Sequence, residues 1–538
     1  MKTLVSPLMM AALSGAVCAP LPAQVQVTVD GPATLREGGK ARLHASKLGA
    51  WPQPAMRWGL VELDRGATLS EPDRHGWVTF TAPRIRKPQE TFKVRVAPEG
   101  GNDPETLTSL LVRSFSNALD GGRLSLLAGD PKASGTDLGK GLAARFGHIV
   151  HMARLDGHPD PELAGRTALV DQTNHRILVM EADGTVRVWL GSPDGKPGHT
   201  EGAGTKARFR GPAALVVWPK GTGRLKDWRA VLLDPGNHLV SAVGPEGWVS
   251  PLAGSSGDFG DAPHRFRKPA GAVFDPNGAL YVTDRDNCVI VKLDGDKASV
   301  LAGQNQAFGF QDGKGEFARF TAPGAIVLEP RSGHLLVGDG NRIRRVTPEG
   351  VVTTLIGSGE RGFEEHLAKA PARAAADRMK GIPCLAGVGG LTVVEENLLI
   401  ADLGNNALRR LDLNTGELIT VAGDPERHEF SAGRLSNGRK LAAGTAATLA
   451  SPQHVILDPA SGMGLVAMHA HGKGSCVAAL RVPWTEAEAK AETIEFKAET
   501  PAGDDAKDDS PSRIAPVENR PAAPAESAAA IITGGVTD

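Results

Sequence analysis

The 538-residue chain holds 66 glycines and 38 prolines, about a fifth of its length, which excludes a long-helix protein because both residues are poor inside helices. Its 60 Lys and Arg balance 61 Asp and Glu to a net charge of −1, so no global field marks a nucleic-acid binder. Aromatic side chains make up only 4%, with Tyr281 the single tyrosine, and the 41% hydrophobic content must build its cores chiefly from Val, Leu, Ile and Ala.

Residues 1–23 read as a signal peptide, with Lys2 as the positive start, an apolar stretch from Leu4 to Val17, and Ala19 and Ala23 as cleavage points. That stretch is shorter than the about 20 residues a spanning helix needs, and no later segment is apolar enough to span. Val17 stands where lipid attachment at Cys18 would want a small residue, so anchoring is not expected. The mature protein is expected to be secreted or periplasmic, or associated with the outer surface. Cys288, Cys384 and Cys476 remain after cleavage, without metal-like spacing. They read as small buried hydrophobes, with one disulfide plus a free thiol as the alternative.

Residues 24–116 alternate like short strands: Val25–Val29, Ala41–Ser46, Ala55–Glu62, Trp77–Pro83, Thr91–Val96 and Thr108–Ser114. Six such runs fit a β-sandwich with Trp58 between its sheets. The stretches EGGKARLHAS and VTFTAP resemble bacterial immunoglobulin-like modules, which implies a spacing or structural role.

From Leu124 one pattern recurs. It opens on L-A-G or a variant, at Leu127–Gly129, Leu190–Ser192, Leu252–Gly254, Leu301–Gly303, Leu355–Gly357 and Val421–Gly423. A Gly-rich stretch closes on Arg-Phe at Phe146, Phe209, Phe266 and Phe320, and an apolar run follows. A second strand then ends on aspartate and turns through asparagine: Asp171 and Asn174, Asp234 and Asn237, Asp284 and Asn287, Asp339 and Asn341, Asp402 and Asn405. The sixth copy has Met468 at the aspartate position. Four short strands per repeat, at a period of about 50–65 residues, describe a propeller blade. The repeated D-x-x-N-x-x-I turn resembles the NHL-repeat propellers, which implies an all-β chain with a six-bladed propeller over residues 122–484. The last copy supplies three strands and Arg123–Gly129 is a lone fourth, so the latter is expected to close the last blade.

The aspartates could be read as a ring of metal or catalytic carboxylates. Their recurrence at equivalent positions favours turn chemistry, in which the carboxylate accepts from backbone N–H groups two residues on and asparagine takes a left-handed conformation. Arg145, Arg208, Arg265 and Arg319, which precede the phenylalanines, are expected to be structural or to line a shared binding face. The fifth and sixth lead-in loops are the longest and are rich in Lys and Arg, which suggests a locally basic sector. Propellers resembling this one include an amidating lyase and lactonases, which hold Ca²⁺ or Zn²⁺ at the axial channel. Candidate ligands for such a site are His148 and His151 in the first blade and His454, His469 and His471 in the sixth, neighbours once the ring closes. The innermost strands of the second to fifth blades are nearly all apolar, so no catalytic residue, cofactor or metal is expected.

Residues 485–538 carry about 12 acidic against 5 basic side chains and few large apolar ones, the composition of a disordered tail. The tail conceals a mildly basic body behind the near-zero total charge. The leading functional expectation is a monomeric, non-catalytic scaffold that binds a protein or carbohydrate through its loop face. A metal-dependent hydrolase or lyase is the first alternative and RNA binding the second, although no nucleic-acid partner is expected.

Overall fold

The structure is a computed structural model that describes residues 25–482 without 31–33, 37–39, 48–54, 61–66, 74, 83–88, 99–105, 114–121, 219–229, 296, 364–383, 437–445, 459–461 and 471–472. The expected signal peptide, Cys18, His471 and the acidic tail lie outside the described residues. Among the described residues, no helix is long and apolar enough to cross a membrane.

Two four-stranded sheets form the N-terminal part. One orders Val25–Asp30, Lys40–Lys47, Val78–Thr81 and Thr68–Leu69; the other orders Thr34–Arg36, Thr106–Arg113, Gln89–Pro98 and Met56–Leu60. Strand alternation builds the core: Phe92, Val94 and Val96 are buried while Thr91, Lys93 and Arg95 between them are exposed. Ala41, Leu43, Val78 and Phe80 meet Phe92 and Val94, and Trp58 packs against this cluster. Thr34–Arg36 and Thr68–Leu69 were not read from the sequence, because strands of three and two residues carry no alternation.

Six further antiparallel sheets of four or five strands follow among the described residues. Their innermost strands are Ile149–Arg154, Ala214–Val217, Pro269–Phe274, Pro323–Leu328, Val388–Val394 and Pro452–Leu457. Each adjoins the next, and the sixth adjoins the first. This closed ring is the arrangement of a β-propeller. Arg123–Ala128 pairs antiparallel with Ser475–Arg481 of the sixth sheet, with Leu124 opposite Leu480, so residues from both ends of the ring segment share one sheet.

The repeated residues weld each sheet to the loop that leads into it. All six L-A-G glycines hold φ between +83° and +99°, where an L side chain is strained. A Cβ on Gly129 would also lie 2.5 Å from the Phe146 ring. Phe146, Phe209, Phe266 and Phe320 are buried in this way, and Leu385 and Leu449 are buried in the last two copies.

Four of the aspartates accept locally from the asparagine side chain three residues on, and all five also bond far outside the turn. They reach back 16 to 24 residues to the backbone just after the buried Phe or Leu. Asp171 accepts from the amides of Gly147 and His148, Asp234 from Arg210, Asp284 from Arg267 and Lys268, Asp339 from Thr321 and Ala322, and Asp402 from Ala386, all at 2.7–3.2 Å. The reason is register. Asp284 stands opposite Pro269 and Asp339 opposite Pro323, at the start of the innermost strand. Asn174, Asn237, Asn287 and Asn405 donate to the other carboxylate oxygen and to a loop carbonyl, at Gly135, Gly198, Gly260 and Gly362. Asn341 donates to the carbonyl of Gly359.

The left-handed position is also corrected. It falls on the residue after asparagine, at His175, His238, Cys288 and Asn406, and in the shorter fourth turn on Gly340. Three of these residues tie one sheet to the next: the Gly211 amide donates to His175 Nδ1, His238 Nδ1 lies 2.7 Å from the Arg267 carbonyl, and the Ser451 amide donates to Asn406 Oδ1.

Three arginines complete the welds. Arg176, Arg344 and Arg409 have fully buried side chains and pair with Asp171, Asp339 and Asp402 at 3.1, 3.0 and 3.3 Å. The second and third sheets carry Leu239 and Ser241, and Val289 and Val291, at the corresponding strand positions. Burial pushes the Asp234 carboxyl up to about 6, and it raises Asp284 as well. All three described cysteines are free, so the disulfide alternative is not formed; Cys288 and Cys476 are buried, and burial raises both thiols.

Candidate functional site

Arg145, Arg208 and Arg319 fold back onto their own lead-in turns, donating to the carbonyls of Leu142 and Ala144, Thr205 and Ala207, and Glu316 and Ala318. Arg265 pairs with Asp258 at 3.3 Å. These side chains brace loops, each within its own repeat.

The histidines meet in two stacks across the seam between the first and sixth sheets. His148 and His469 have ring centroids 4.2 Å apart, and His151 and His454 4.1 Å. Ser475 lies between the sheets there, donating to the Gly147 carbonyl, accepting from the Ile149 amide, and standing 2.9 Å from His469 Nδ1. Gly390 makes room for the inner pair, since a Cβ there would meet His454 at 2.3 Å. Burial lowers His151 to about 4, and burial with the neighbouring His151 puts His454 well below its ordinary value. Both imidazoles are therefore neutral near pH 7, and neither Nδ1 has a hydrogen-bond partner.

The inner pair opens on the axial channel, a cavity of about 460 Å³ whose walls include Leu215, Ala272, Gly324, Ile326 and Leu391 beside Gln172 and Gln453. Ring nitrogens aim their lone pairs in the ring plane, so two stacked imidazoles do not fit a shared Zn²⁺. Among the described residues that line the channel, none is a carboxylate for Ca²⁺. Among the described residues, no group of three or more His, Cys, Asp or Glu is placed to hold a metal.

The stacked pair has a pH consequence. The unfolded chain takes up protons at the ordinary histidine value while the folded pair does not, so stability falls as pH drops below about 6.5. Each histidine contributes about 1.4 kcal/mol per pH unit across its window, which for His151 extends down to about 4. Asp234 acts oppositely, since its raised value favours the folded chain as pH falls through about 6. The melting temperature between pH 7 and 5 is expected to fall more in the wild type than in a His151→Leu/His454→Leu variant. Parallel curves would contradict the assignment.

An exposed surface lies elsewhere, on the lead-in loops of the third and fourth sheets. Phe259, Phe308 and Phe310 are 53%, 72% and 50% exposed. The Arg267 guanidinium sits 4.9 Å from the Phe259 ring, and Arg342 sits 3.8 Å from Phe310. The two loops are stitched together. Asn305 exchanges hydrogen bonds with both backbone groups of Ala262, at 3.2 and 2.9 Å, and Gln306 donates to Asp261 at 2.6 Å. The sequence reading missed this surface; its signal was phenylalanine in glycine-rich loops, DFGD and AFGFQDG, where no core requires an aromatic ring. In the sector that the charge pattern points to, residues 364–383 of the fifth loop and 437–445 of the sixth lie outside the described residues.

No known family profile and no curated protein matches the chain. Similarity is found among solved structures. A protein of unknown function from Bacteroides thetaiotaomicron is 17% identical with a TM-score of 0.50, covering 87% of this chain and 100% of its own. An auxiliary nutrient binding protein from the same organism is 12% identical at 0.45, covering 86% and 98%. A gluconolactonase from Xanthomonas campestris is 14% identical at 0.38, covering 67% and 97%. Likeness at these identities is likeness of fold.

Proposed function

We propose that the chain is an exported, non-catalytic binding protein, with an immunoglobulin-like sandwich ahead of a six-bladed propeller of the NHL kind. The observation that carries the binding role is the phenylalanine–arginine surface of Phe259, Phe308, Phe310, Arg267 and Arg342. Exposed aromatic rings backed by arginine are what protein interfaces enrich at their cores. Cross-linked loops hold the rings in place before a partner arrives, which lowers the ordering cost of binding. The three exposed rings supply large apolar area for a protein partner, with exposed polar side chains such as Asp258, Gln304 and Gln311 around them.

The test compares the wild type with a Phe259→Ser/Phe308→Ser/Phe310→Ser variant as baits in cell-envelope extract of the source organism. The melting temperature should differ little, because these rings are exposed. A partner retained by the wild type should be lost by the variant, and titration with that purified partner should show at least about 30-fold weaker binding. Identical retention by both baits would refute the reading.

A further inference from the structure

A second cavity, of about 470 Å³, lies in the ring-closing seam at the end of the sheets away from the Asp–Asn turns. Its walls include Leu127, Met180, Ile456 and Leu465, and its rim carries Arg154, Asp156, Arg166, Glu181, Asp458 and Arg481. At the seam between the first and second sheets, Trp189, two residues before Gly191, is buried with Leu155 and Leu163 of the loop beside it. The ring-closing seam has Leu127 at the corresponding position, as three other seams have Leu252, Leu301 and Leu355. On its floor Leu127, Ile456 and Leu465 are only half-buried.

We infer that this seam cleft binds short zwitterionic peptides with apolar side chains. The volume suits a ligand of that size, and the apolar floor supplies the burial. The rim supplies both charges on both walls. The first sheet contributes Arg154 with Asp156 at 3.1 Å and Arg166 with Glu181 at 2.6 Å, and the sixth contributes Asp458 and Arg481. An α-ammonium group meets carboxylates there and an α-carboxylate meets guanidinium groups, while a ligand of a single charge meets one repelling partner for each attracting one. The flexible Met180 thioether adapts the floor to different apolar side chains.

The experiment is calorimetric titration of the full chain with the dipeptide Leu-Phe and with its N-acetylated, C-amidated analogue. Leu-Phe should bind, and the blocked analogue should bind at least roughly tenfold more weakly. Leu127→Trp, which imports the residue of the neighbouring seam, should abolish Leu-Phe binding while leaving binding at the phenylalanine–arginine surface intact. Should that variant fail to fold, Asp458→Asn/Arg481→Gln on the exposed rim should reduce Leu-Phe affinity and leave the blocked analogue unchanged. Absence of Leu-Phe binding at millimolar concentration, equal affinity for both ligands, or unchanged binding in the folded variants would overturn the assignment.

Discussion

Deletion of Arg123–Gly129 is expected to lower the melting temperature by on the order of 10 °C and to broaden the transition. The segment fills the fourth place in the sixth sheet, between Ser475–Arg481 and Gly433–Arg434. Leu124 and Ala128 are fully buried there, and one buried leucine alone is worth about 1.5–3 kcal/mol. The loss extends beyond that area. The inner neighbour, Ser475–Arg481, would expose a line of unpaired backbone groups, and Phe146 would lose Gly129, the residue it packs against. Because the sixth sheet also touches the first, the damage would spread to the histidine stacks and to the seam cleft. Differential scanning calorimetry checks this, with Leu126→Pro as a milder break of the same ladder opposite Ala478. A deletion variant that melts with the wild type would show that the ring holds without its closing strand.

The strands could be read in advance because each repeat states them locally. A glycine with positive φ marks the end of one sheet, a Phe the start of the next, and an aspartate the far end of the second strand. What those residues touch could not be read the same way. The Asp284 carboxylate meets amides at Arg267 and Lys268, a contact that depends on antiparallel register and not on sequence distance. The histidine stacks join residues more than 300 positions apart, so only the closure argument brought them near one another. The seam cleft is harder still, because Leu127 is the ordinary leucine of the L-A-G run and nothing local marks it. Detecting it requires knowing which two sheets face each other. The phenylalanine–arginine surface was legible in principle, since rings in loops rich in glycine have no local structural task, whereas the charge pattern points to other loops.

Substitution of Arg344 by Met is expected to destabilise the chain by about 3–5 kcal/mol at pH 7, although it removes only one charge from a protein with 60 basic residues. Arg344 is wholly buried and bonds Asp339 at 3.0 Å, and it also donates to the carbonyls of Arg319 and Gln311, each at 3.0 Å. Met fills similar volume but leaves the Asp339 carboxylate without this cation, two carbonyls without a donor, and Asp312 without the guanidinium it meets at 2.7 Å. Burial already raises the Asp339 carboxyl while the guanidinium holds it down. Without that restraint it should rise further, toward the behaviour of Asp234, which has no buried arginine and stands at about 6. A carboxyl raised in the folded chain stabilises that chain once protonated, so the deficit should shrink as pH falls from 7 to 5. Urea denaturation at the two pH values measures this directly. The double variant Asp339→Asn/Arg344→Met should recover part of the loss at pH 7, because the amide retains acceptors for Thr321 and Ala322 without a buried charge. A deficit that is the same at both pH values, and the same with Asn at position 339, would mean that Arg344 acts through volume, carbonyl bonds and its contact with Asp312 rather than through its ion pair with Asp339.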